Sequence, residues 1–134
     1  MSITLESRED GWVVFYTLST PISFQELSHL QQKDLAIRNA ANHTVHELID
    51  ATRLTMIPEH PLRAWTFPSL NHPRAGFVVV VGGNAFVRMA SQDIHQLAHL
   101  KVPVFVDRLE EGWAYLRKLI AQDKAANSYC TGVK

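Results

Sequence analysis

The stretch Phe77-Val78-Val79-Val80-Val81-Gly82-Gly83-Asn84 decides the fold class. An apolar, β-branched run suits a strand. Because the run is continuous rather than alternating, it predicts burial on both faces, as in a sheet covered by helices. Gly82-Gly83 breaks the strand, and Asn84 can cap the helix that follows. Phe86, Met89, Ala90, Ile94, Leu97 and Ala98 then keep helical spacing to about Leu100. Strand passing into helix is the repeating unit of a parallel α/β sheet.

The same alternation extends in both directions. Downstream, Val102 to Val106 predicts a short strand, with Pro103 placing it at an edge or an entry position. Asp107 can cap a last helix, on which Leu109, Trp113, Leu116 and Ile120 form one stripe. Residues 122–134 lack periodicity and predict a frayed tail behind a single domain spanning 1–121. Upstream, Val45 to Ile49 predicts a strand ending in Asp50. Ser23 with Glu26 forms a capping box for a helix to about Ala41, whose apolar face (Phe24, Leu27, Leu30, Leu35, Ile37) is imperfect. Ile3 to Glu6 and Trp12 to Leu18 predict two strands joined by Arg8-Glu9-Asp10-Gly11, where Asp-Gly supplies the positive φ angles of a hairpin. The class is therefore α/β, with a mixed, mostly parallel sheet, an N-terminal β-hairpin and helices packed against it.

Composition narrows the partners. The chain has 134 residues, 46% of them hydrophobic and 19% charged, which suits one globular domain and excludes a disordered chain. Thirteen basic residues balance thirteen acidic ones, so charge gives no case for nucleic acid or an anionic membrane surface. Cys130 is the sole cysteine, which rules out an internal disulfide and a cysteine metal cage. The opening Met-Ser-Ile-Thr-Leu-Glu has neither a basic nor an apolar run, and no apolar stretch is long enough to span a bilayer. The expectation is a soluble cytoplasmic protein without a membrane span.

The order of elements resembles the STAS domain, the fold of bacterial anti-sigma factor antagonists. The stretch from His46 to Leu54 is similar to that family's third strand, an apolar run ending in aspartate and a short turn. Together with Gly76 to Val81 and Val104 to Trp113, it resembles small uncharacterised bacterial proteins of the SpoIIAA-like group, which also takes in the CRAL-TRIO lipid-transfer domains. The resemblance covers about residues 1–121. It implies the SpoIIAA-like fold, and it implies a phosphorylatable serine in an Asp-Ser-Ser-Gly or similar loop after the third strand. Here the corresponding region is Thr55-Met56-Ile57-Pro58-Glu59-His60, with neither that serine nor the glycine. Proline removes a backbone donor and Glu59 adds a fixed negative charge, so no kinase-operated switch is expected. Thr52 and Thr55 are the nearest hydroxyls.

The remaining candidate chemistry has bland alternatives. His95 and His99 share a face of a predicted helix, but zinc needs three or four ligands; the alternative is a polar helix flank. Gly83 and Asn84 form a candidate anion site where a strand meets a helix N-terminus, against the simpler reading of a capped turn. Ser91 lacks a nucleophile elbow, and Cys130 lacks a neighbour that would lower its pKa. Asp50 and Asp107 end strands at the sheet's carboxyl edge, where α/β folds place sites, although such aspartates more often brace turns. The proline-broken stretch holds Met56, Ile57, Leu62, Trp65, Phe67 and Leu70, a surplus of large apolar groups for an irregular segment. These six form the candidate interaction surface, with a lid packed on the sheet as the alternative. The expected function is a non-enzymatic STAS-like interaction or regulatory module, acting through protein contacts as a homodimer and without a cofactor. The alternative is a carrier or sensor of a small apolar ligand or lipid.

Overall fold

The structure, a computed structural model, describes residues 3–19, 24–53, 72–83, 88–89, 92 and 103–132. Strands β1 (Ile3–Arg8) and β2 (Val13–Ser19) form an antiparallel hairpin, with Ile3 opposite Leu18 and Arg8 opposite Val13. Glu9, Asp10 and Gly11 all take positive φ, so the left-handed turn begins one residue before the Asp-Gly pair. Two backbone bonds hold it: Gly11 N–H donates to Arg8 O and Trp12 N–H to Glu9 O.

Helix α1 (Phe24–Ala40) leads to β3 (Val45–Arg53), which runs parallel to β2. β4 (Ala75–Val81) adds parallel to β3, and β5 (Val104–Val106) parallel to β4. The sheet order is β1-β2-β3-β4-β5, so β5 lies at an edge, as Pro103 suggested. Helix α2 (Leu109–Gly132) closes the chain. The mixed, mostly parallel sheet with its N-terminal hairpin is the architecture expected from the sequence.

Alternation along the strands sorts the core into two layers. Ile3, Leu5, Val14, Tyr16, Val45, Ile49 and Val80 are buried on one face, where Leu30 and Ile37 of α1 pack on them. Val13, Leu48, Val79 and Val81 are buried on the other, under Trp113, Leu116 and Ile120 of α2. Gly112 lets the first turn of α2 approach closely, since a Cβ there would stand 2.9 Å from Leu48 Cδ1.

Four expectations change. The β4 run is not buried throughout: Phe77 is 37% exposed. Val45 pairs with Ala75 and Glu47 with Val78, so Gly76 and Phe77 together face His46, and this bulge turns Phe77 outward. The imperfect apolar face of α1 has a polar stripe instead: Gln31, Asp34 and Arg38 are buried against the sheet. Residues after 121 are helical to Gly132 rather than irregular, since Ala121, Gln122, Lys124, Ala125 and Ala126 are good helix formers. Asp107 does not cap α2 by its side chain. The helix opens on Arg108, whose carbonyl accepts from the amides of Glu111 and Gly112, while the Asp107 carboxylate takes Arg88.

Candidate functional site

Near the carboxyl edge of the parallel strands, β3 runs on past Asp50 to Arg53 rather than ending at the aspartate, and Asp50 bonds to Thr52 within the strand. Asp50 Oδ1 accepts from Thr52 N–H at 3.1 Å and from Thr52 Oγ1 at 2.7 Å. Gly82 and Gly83 have φ of 75° and 81°, a region that favours glycine. Gly82 N–H donates to Val106 O. Arg88 bridges the carboxyl ends of β4 and β5. Its Nε donates to Gly82 O at 2.9 Å, and Nη2 donates to Val106 O at 3.2 Å and to Asp107 Oδ1 at 3.1 Å. The guanidinium also lies 5.5 Å from the Phe105 ring centroid. The edge is thus braced by side chains, and Arg88 does the bracing, a role that no motif in the sequence signalled.

A second polar constellation lies inside the molecule. Tyr16 of β2 donates its hydroxyl to Asp34 Oδ2. Arg38 divides its donors: Nε goes to Asp34 Oδ1 at 2.6 Å, Nη1 to Val45 O at 3.1 Å, and Nη2 to Glu47 Oε1 at 3.0 Å. All four side chains lie between α1 and the sheet. Burial raises the Tyr16 hydroxyl above the usual phenol range, and the nearby Glu47 and Asp34 charges reinforce this, so it remains a donor. Burial works against the Arg38 cation, but Glu47 and Asp34 together hold its pKa above the ordinary arginine value. Burial pushes the Glu47 carboxyl up to about 7, against the pull of Arg38 and with the help of Asp34. The available signal for this cluster was Glu47 inside an apolar strand, with Asp34 and Arg38 one turn apart on a helix.

On the opposite face, the bulge in β4 leaves Phe77 N–H outside the regular ladder. His46 Nδ1 accepts it at 3.0 Å, which puts the ring proton on Nε2, and that proton is donated to Asp123 Oδ2 at 2.9 Å. Trp12 stacks on His43 with centroids 3.7 Å apart, and Lys124 sits 5.7 Å from the Trp12 centroid.

The other sequence candidates divide as follows. Met56, Ile57, Leu62, Trp65, Phe67 and Leu70 lie outside the described residues, as do Thr55, Asn84, His95 and His99. Gly83 is described and sits at the braced edge. His72 donates from Nε2 to Asn39 Oδ1 and accepts Arg74 N–H at Nδ1. Among the described residues no group of three His, Cys, Asp or Glu gathers to hold a metal, and no helix is long and apolar enough to cross a membrane.

No family model matches the chain, and no curated protein matches it. Among solved structures, an uncharacterised DUF3478-family protein of Shewanella loihica with a SpoIIAA-like fold is similar. It is 13% identical, the match covers 85% of this chain and 91% of that one, and the TM-score is 0.58. At that identity the likeness speaks for the fold alone, and it agrees with the strand order, the hairpin and the two helical layers described above. The chain has the SpoIIAA-like fold.

Proposed function

We propose that the chain is a non-enzymatic SpoIIAA-like interaction module that works through protein contacts as a homodimer, without a phosphorylation switch. The observation that carries this reading is the engagement, among the described residues, of Asp50 and Arg88 at the carboxyl edge. Asp50 braces Thr52, and Arg88 braces Gly82, Val106 and Asp107. Acid–base or nucleophilic catalysis needs a group positioned toward a substrate, whereas these described groups bond to neighbouring parts of the chain. Thr52 adds to the case against a switch, since a phosphate on its hydroxyl would stand beside the Asp50 carboxylate. The proposed contact is the segment with Trp65 and Phe67, because aromatic anchors carry much of the energy of protein interfaces.

Sedimentation equilibrium tests the reading at concentrations of tens of micromolar. The parent should be a dimer, and Trp65→Ala should weaken association by about 2 kcal/mol or more while the monomer stays folded. A monomeric parent with an apolar molecule retained in native mass spectrometry would replace this reading with that of a ligand carrier.

A further inference from the structure

Glu47 sits in the middle strand of five, 4% exposed, with one guanidinium for company. Its strand neighbours across the sheet are Val14 and Val78. From α1 it faces Arg38, with Asp34 behind; from β2 the polar group is Tyr16. β1 and β4 present Ile3, Leu5, Val78 and Val80 to this layer and, among the described residues, no charge. Lys33 of α1 is directed elsewhere, to Leu5 O at 3.2 Å.

The division of donors is unequal. Asp34 receives two, from Tyr16 and from Arg38 Nε. Glu47 receives one on Oε1, and its second oxygen takes no hydrogen bond from a described residue. One cation thus faces two carboxyl groups in an apolar layer. With both ionised the cluster carries an uncompensated negative charge, and desolvating such a charge costs far more than leaving one neutral carboxyl O–H unpaired.

We infer that Glu47 is a proton-operated latch between α1 and the sheet. As the neutral acid it keeps the cluster balanced and α1 seated. On ionisation it releases its proton to water, leaves one excess negative charge under the helix, and loosens the α1 contact. The inference does not depend on what the module binds.

The direction follows from linkage. The folded carboxyl titrates at about 7, against an ordinary value of 4.5. Between these values the folded chain holds a proton that the unfolded chain lacks. The stabilisation is therefore complete below the ordinary value and is lost as pH rises through about 7.

The test is urea unfolding of the wild type and Glu47→Gln between about pH 5 and about pH 8, with amide exchange followed along α1. Glutamine keeps the acceptor for Arg38 and cannot ionise. Relative to this variant, the wild-type unfolding constant should rise roughly tenfold or more over that range, and the α1 amides should lose protection. A pH-independent difference between the two proteins would overturn the latch. Infrared difference spectra of the wild type give a readout even if the variant fails to fold. A neutral-carboxyl band should be present near pH 6 and vanish above neutrality; its absence would also overturn the inference. Asp34→Asn removes the competing carboxylate, so the band should then disappear at lower pH. An unmoved midpoint would refute the sharing of Arg38.

Discussion

Gly76 is small because of a histidine. In the β4 bulge a Cβ on residue 76 would run into the His46 ring and come within 2.7 Å of Thr44 Cγ2. That ring cannot yield freely, since it accepts Phe77 N–H on one side and donates to Asp123 on the other. Gly76→Ala therefore has to displace a buried ring that makes two hydrogen bonds. Overpacking and the orphaned amide together should cost about 2 kcal/mol or more. A urea midpoint lowered at unchanged slope would bear this out, and an unchanged midpoint would show that the ring moves without penalty. Arg38 illustrates the same dependence in reverse. One fully buried cation serves Asp34, Val45 and Glu47, and its cost is tolerable because each of its three nitrogens has an acceptor.

α1 and α2 are each tied to the sheet by polar bonds as well as by apolar contacts. α1 uses the Asp34–Arg38 pair, whose spacing of four residues puts both on the inward face. α2 uses its apolar stripe through Ile120 and then Asp123, which reaches His46, and Lys124, which lies over Trp12. Residues 123 and 124 of α2 thus add contacts to the domain beyond Ile120. A chain ending at residue 121 should lose about 1 kcal/mol or more, because His46 would keep one buried ring nitrogen without its carboxylate. Asp123→Ala should reproduce most of that loss in a denaturant titration. If both proteins match the full chain, the segment after 121 adds nothing to the fold.

At the scale of the whole molecule, β3 connects the two layers. Leu48 points into the α2 layer and Ile49 into the α1 layer, one residue apart on the same strand. A destabilisation on either side should therefore reach the other through a shared backbone. Leu48→Ala and Ile49→Ala should each cost about 2–5 kcal/mol and each lower one common melting transition. Calorimetry that resolves two transitions in either variant would mean that the layers unfold separately.

The sheet was legible because its signals are local. The β-branched run of β4, the Asp-Gly hairpin and the Leu109-Trp113-Leu116-Ile120 stripe each carry their meaning within a few residues. That Asp50 bonds to nearby backbone was legible for the same reason, although its partner Thr52 lies within β3 and not in a turn beyond it. The polar cluster was not. Tyr16, Asp34, Arg38 and Glu47 come from three elements, and in the sequence Asp34 and Arg38 are indistinguishable from an ordinary exposed helix pair. Nor was Arg88 legible as a brace, since its acceptors Gly82 and Val106 are backbone groups, one just past β4 and one in β5. Periodicity tells which face of an element is apolar. Which polar groups that face then encloses, and who shares their charge, is decided only when distant segments close on one another and water is excluded between them.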